Sequence, residues 1–346
     1  MEDADSLKAW KALHEAARDF RDTKCWLWMW DTDLFAVEDP ETGEIGYCCV
    51  IGRLGEVTGL AVYRGSEGLQ SYLRMQSEEL SGEDADPSLI PKCLLASFED
   101  RELLQKQDLD VIKKLNLTFR GRGQWPLFRS YEPGYFPWYL TAEEVTYLTL
   151  MLRQAKEVSI RFRENGELLT PHARGLYFVR RAERRGGELQ WKDTWMEPKP
   201  FERKESPAVP IDRLRLERIG ATATIKEMSW ETDFFYLPVP VREGKERPYY
   251  PYALVWVDHN TGFILRCHTT TPEECFKEYI GQFLDLIEDL KLIPSDILVR
   301  REPVVELFKP VAAELGIQLK CIESLRTIED FRKNLREAMP KNKRES

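Results

Sequence analysis

The 346-residue chain has no apolar run approaching the roughly 18 residues that a membrane helix needs, so no spanning segment is expected. Its first residues, MEDADSLKAW, are acidic where a secretory leader would be basic and then apolar. Histidine is scarce, at four residues, and the seven cysteines include no C-x-x-C pair, so structural zinc is not expected. With no leader, free thiols and a cytoplasmic location are the expectation. The phosphate-loop, dinucleotide, nucleophile-elbow and zinc-protease signatures are all missing. The short GRGQ stretch at 121–124 cannot cradle a phosphate by itself. Neither a cofactor nor a metal is expected from this inventory. Enzymes whose residues converge only in space stay open.

What is present describes an ordinary globular chain, 42% hydrophobic and 32% charged, long enough for two cores. The net charge of −9 is unevenly spread: residues 1–110 balance at −13, residues 111–220 at +7 and the remainder at −3. A basic middle resting on an acidic front is the simpler reading, and a nucleic-acid patch is the functional one.

The periodicity predicts an α+β fold. Leu7, Trp10, Leu13, Ala17 and Phe20 form one helical stripe, and residues 26–64 read as three strands of a β-meander followed by a helix. Cys48 and Cys49 should point to opposite faces of one strand. Residues 76–91 are acidic and read as an exposed loop; CLLASF then reads as a strand and DLDVIKKLN as a short helix. Residues 124–140 hold seven aromatics and three prolines, which suits a loop pinned by its rings or a ligand groove built around Trp138. Thr141 and Glu144 form a capping box for the helix that follows. From 158 to 240 the pattern turns extended, and 196–210, with four prolines, is the best linker. The end of the chain reads as ββαβαβα, with a kink or break expected at Pro310. The domain division is therefore 1–157, an α+β domain; 158–246, a basic strand-rich segment carrying the linker; and 247–346, an α/β unit.

Asp39-x-x-Thr42-Gly43-x-Ile45-x-x-Cys48 recurs as Asp258-x-x-Thr261-Gly262-x-Ile264-x-x-Cys267. Either a hairpin unit is duplicated, or the same favoured turn is used twice.

Two places are candidates for chemistry. Arg180, Arg181, Arg184 and Arg185, with Trp191 and Trp195 nearby, offer phosphate forks and stacking rings, although charges at a hairpin tip also serve to guard a strand edge. The other is Asp258, closing an apolar strand ahead of a hairpin, helix, strand and helix. That order over residues 252–339 resembles the ribonuclease H-like fold of integrases and transposases. The resemblance implies one carboxylate closing the first strand, a second after the helix-linked strand and a third on a late helix, together holding two metal ions for phosphodiester cleavage. Glu302, Glu329 and Asp330 are the candidates to join Asp258. The chain departs from that pattern where the second acid belongs, reading Arg300-Arg301 with Glu302 late, which implies a degenerate site.

The stretches WDTDLFAVEDPETGEIGYCCVIGRLGEVTGLAVYRGSEGL and RPYYPYALVWVDHNTGFILRCHTTTP also resemble bacterial proteins known only as domains of unknown function. That resemblance implies a bacterial cytoplasmic protein and brings no substrate or catalytic residue. The leading functional expectation is a non-catalytic binding or scaffold protein. The alternatives are a ribonuclease H-like protein, active or degenerate, and a nucleic-acid binder using the basic middle. The sequence leaves the partner, protein or nucleic acid, and the oligomeric state open.

Overall fold

A computed structural model describes residues 4–55, 57–77, 90–185, 188–201, 210 and 212–338. Most of the acidic stretch at 76–91 and of the proline-rich stretch at 196–210 lies outside these residues. The described residues form an α+β protein built on two mixed sheets.

The first sheet has seven strands: β1 (Phe35–Glu38), β2 (Ile45–Ile51), β3 (Thr58–Arg64), β4 (Cys93–Glu99), β5 (Trp125–Tyr131), β6 (Tyr177–Arg185) and β7 (Glu188–Met196), in the order β5-β4-β3-β2-β1-β6-β7. The run β1 to β5 is an antiparallel meander, and β6 returns parallel to β1. Helices α1 (Ala4–Thr23) and α4 (Ala142–Glu164) cover one face, while α2 (Gly65–Gln76) packs on the other; α3 (Lys106–Lys114) links β4 to β5. Strand alternation sends Cys48 into the first layer and Cys49 into the second, as expected. The capping box holds: the Thr141 amide donates to Glu144 at 2.8 Å and the Glu144 amide to the Thr141 hydroxyl at 3.3 Å.

The structure corrects several expectations. Residues 25–27 form a 3₁₀ turn rather than a strand, because Lys24 adopts a left-handed conformation and the Trp30 amide is caught by the Asp33 carboxylate at 2.7 Å. The first half of the aromatic segment is strand β5; Pro126 is tolerated there because β5 is an edge strand. Helix α4 runs on to Glu164, since nothing before Asn165 interrupts it. The strands expected over 158–246 do not form one unit: β6 and β7 extend the first sheet, while the next strand joins the second.

That second sheet comprises β8 (Thr224–Tyr236), β9 (Tyr252–Asp258), β10 (Ile264–Thr270), β11 (Leu292–Val299) and β12 (Gln318–Cys321), ordered β10-β9-β8-β11-β12. Strands β8, β9 and β10 are antiparallel neighbours, whereas the helix-linked β11 and β12 run parallel to β8 and to each other. That parallel placement is what the ribonuclease H-like resemblance requires. The strand ending at Asp258, however, is the second of this sheet in chain order, and β8 precedes it. Helices α5 (Arg213–Thr222), α6 (Cys275–Leu290) and α7 (Glu302–Leu315) pack on one face, and α8 (Arg326–Ala338) on the other. Helix α5 was not expected; only Leu216 and Ile219 of its arginine-rich sequence are buried. Helix α7 is not broken at Pro310, which lies on its exposed side. There the carbonyl left without an amide partner can be hydrated. No described helix is long and apolar enough to cross a membrane.

His14 on α1 is buried and meets the Trp10 carbonyl through Nδ1 at 2.8 Å, with Phe128 edge-on at 5.1 Å. Burial pushes its pKa below the ordinary 6.5, against the Trp10 hydrogen bond and the Asp108 charge, which act to raise it. The unfolded chain therefore binds the proton more readily. His14 contributes stability above pH 6.5 that is lost as pH falls through its lower folded value. Thermal unfolding between pH 7.5 and 5.5 should show a steeper fall in Tm for wild type than for His14→Leu; parallel curves would remove this role.

Candidate functional site

Along β8 the side chains alternate. Trp230 and Phe234 enter the core beneath α6 and α7, and Phe235 enters the core under α8. By the same period of two, Glu231 and Asp233 fall on the α8 side, two buried acids in the buried second half of the strand. Buried carboxylates must be hydrogen-bonded or paired, and each of these is.

Glu231 accepts from His259 Nδ1 at 2.7 Å, from the Thr327 hydroxyl at 3.3 Å and from the Ile328 amide at 3.4 Å. Its negative charge thus lies on the first turn of α8, where the helix dipole favours an anion. Asp233 takes the Arg301 guanidinium, Nε donating to Oδ1 at 3.0 Å and Nη2 to the same oxygen. Arg301 also donates to the Phe234 carbonyl and lies 4.2 Å over the Phe234 ring. Arg300 stands between two acids, 3.9 Å from Asp233 Oδ2 and 3.6 Å from Glu329 Oε1. The pairing of Leu298 with Glu231 explains why these arginines, just past the end of β11, arrive beside Asp233.

Among the acids proposed from sequence, Glu329 belongs to this cluster and also accepts from the Ser324 hydroxyl at 2.9 Å. Asp258 does not. Its carboxylate closes the β9–β10 turn, accepting from the Asn260 and Thr261 amides at 3.0 and 2.8 Å and from the Thr261 hydroxyl at 2.9 Å. It pairs across the sheet with Trp230, on the face away from Glu231 and Asp233. Glu302 is exposed at the start of α7, and Asp330 is exposed on α8. The other hairpin of the recurring motif uses the same device: Asp39 accepts from the Thr42 hydroxyl at 2.8 Å, and Gly43 and Gly262 share φ values of 71° and 72°. The recurring residues thus carry out the same turn chemistry in both hairpins.

The arginine cluster of β6 is largely committed inside the protein. Arg180 donates to Gln154 at 3.1 and 3.2 Å and to Asp193 at 2.9 Å; Arg181 pairs with Glu38 at 2.7 Å. For Arg184 and Arg185 the structure describes the backbone pairing with Leu189 and Glu188. Trp191 packs against the first core with Arg180 5.8 Å from its ring, and Trp138 meets Tyr139 edge-on at 5.1 Å with Arg242 over its own ring at 4.9 Å.

Sequence reasoning missed Glu231 and Asp233. The signal was legible: SWETDFFY places acids two apart among aromatic residues of a strand, which puts both on one face. Among the described residues, no three His, Cys, Asp or Glu side chains are grouped as a metal site requires.

No curated protein matches the chain. Among solved structures it is similar to the magnesium-bound catalytic core domain of the HTLV-2 integrase in its dimeric form, at 20% identity over 32% of this chain and 67% of that one, with a TM-score of 0.24. It is also similar to a chain of the simian T-cell lymphotropic virus intasome in complex with PP2A regulatory subunit B56 gamma, at 18% identity over 33% and 41% of the two chains, again with a TM-score of 0.24. The family matches divide the sequence much as the sheets do. Residues 10–180 match the family model of a domain of unknown function (DUF7309), and residues 215–336 match that of a second domain of unknown function (DUF6930).

Proposed function

We propose that the second sheet is a degenerate ribonuclease H-like unit, and that the protein acts by binding rather than by metal-dependent cleavage. The strand order and the parallel run of β8, β11 and β12 support the fold reading. In that fold an acid on the first strand, one after the helix-linked strand and one on a late helix share the metal ions. Here the three places hold Asp233, Arg300 with Arg301, and Glu329.

The observation that carries the reading is Arg300, 3.6–3.9 Å from both remaining carboxylates. A guanidinium is permanently charged, so it neutralises the acids where divalent ions would otherwise be needed. Any cation at the same point would meet two arginines at close range and be repelled by both. The donor set does not fit a metal pair, and no step of cleavage is derived from it. The internal pairing of Arg180 and Arg181 gives the nucleic-acid reading no additional support.

The direct test is to incubate the full chain with plasmid DNA, single-stranded DNA and an RNA–DNA hybrid in magnesium or manganese. Product formation should equal that of the Asp233→Asn variant. Metal-dependent cleavage that disappears in Asp233→Asn would overturn the proposal.

A further inference from the structure

Independently of the second sheet, the first sheet carries an exposed apolar face at one end. Three large hydrophobic side chains exposed there, Leu27, Trp30 and Leu54, are brought together by Arg53, and Val57 and Ile160 are exposed on the adjoining hairpin and helix. Leu27 and Leu54 are 65% and 87% exposed, in the 3₁₀ turn and the β2–β3 hairpin tip. These elements are fixed to one another: Arg53 donates to the Leu27 carbonyl at 3.3 Å and lies 4.0 Å over the Trp30 ring. One turn-residue away, the Trp28 indole donates to the Ser159 carbonyl at 3.0 Å, beside Ile160, and Arg163 lies 4.8 Å from its ring.

Several other arginines of the same half are already paired. Arg64, Arg129, Arg161, Arg180 and Arg181 each meet a carboxylate. Arg53 and Arg163 lie on indole faces with no described carboxylate within salt-bridge distance. Contiguous exposed apolar surface with a polar rim marks an interaction site. Guanidinium forks held on aromatic faces are preorganised for bidentate carboxylate recognition.

We propose that this face docks an acidic, apolar segment of a partner protein. Its apolar side chains cover Leu27, Trp30 and Leu54, and its carboxylates meet Arg53 and Arg163. A bilayer would use the apolar residues but needs no oriented forks, so the fixed arginine geometry favours a protein ligand.

A random dodecapeptide display library panned against the full chain provides the test. Enriched peptides should carry apolar residues flanked by Asp or Glu. Their affinity, read by fluorescence anisotropy, should fall at least about tenfold with Leu54→Asp. It should also fall with Arg53→Glu/Arg163→Glu, which should in turn prefer versions of the same peptides with the acids changed to lysine. An unchanged Tm for Leu54→Asp would confirm that the loss is local. Absence of enrichment, enrichment without acidic bias, or equal binding by Leu54→Asp would overturn the proposal. So would Leu54-dependent binding to phosphatidylglycerol vesicles without peptide binding, or Leu54-dependent dimerisation in sedimentation.

Discussion

Arg301→Ala is expected to destabilise the protein by about 2–4 kcal/mol, because it leaves a buried carboxylate without its main partner. The Asp233 side chain is only 9% exposed, against 37% for Arg301, so the cost falls mainly on the acid left behind. The Phe234 carbonyl loses a donor as well. Arg300, 3.9 Å from the other Asp233 oxygen, compensates in part, which keeps the expected loss below that of a fully buried pair. Replacing both partners by apolar residues, Asp233→Leu with Arg301→Met, should recover most of the loss, since no buried charge then remains. Urea unfolding at neutral pH measures both variants. A loss under about 0.5 kcal/mol for Arg301→Ala, the range of surface substitutions, would mean that solvent already screens the pair.

The second large effect comes from the other face of the same strand. Trp230→Ala should cost about 3–5 kcal/mol, the range for truncating a buried aromatic whose surroundings cannot collapse. Trp230 is fully buried and meets Phe283 edge-on at 6.2 Å. Its indole N–H has no acceptor among the described residues, so Trp230→Phe removes an unsatisfied donor along with some volume. That milder change should cost no more than about 1.5 kcal/mol. If the two variants were equally destabilised in the same unfolding experiment, an unseen partner for the indole would be indicated rather than packing.

The contrast between these faces shows which parts of the protein were legible in its sequence. The run from β9 to α8 follows from periodicity because each element has a clean apolar face, as in α6, where Tyr279, Ile280, Phe283, Leu284 and Ile287 are buried. Its parallel and antiparallel pairings agree with the expected order of elements. Strand β8 was harder to place. Its first four residues are exposed, and its partners lie about twenty and seventy residues further along the chain, so no local pattern assigns it to the second sheet. The return of β6 beside β1 is likewise a non-local pairing, separated by more than a hundred residues.

The site was half legible for a related reason. Arg300 and Arg301 stood out as cations where an acid was expected. The acids they meet are less conspicuous, because the Glu231–Asp233 alternation lies in a strand whose first half is exposed, whereas Asp258 closes a continuously apolar one. Asp258 turned out to serve its own turn. Glu329 is a candidate from its place on a late helix, and the structure brings it to Arg300.

The central claim of the proposed reading is that arginines stand where a ribonuclease H-like fold would hold metal ions. Manganese binding, followed by electron paramagnetic resonance of the free ion during titration into the full chain, tests it most directly. The account expects wild type and Asp233→Asn to leave the free-ion signal equally unchanged up to millimolar manganese. Sequestration of manganese by wild type that is lost in Asp233→Asn would contradict it, and would return the cluster to metal-dependent chemistry.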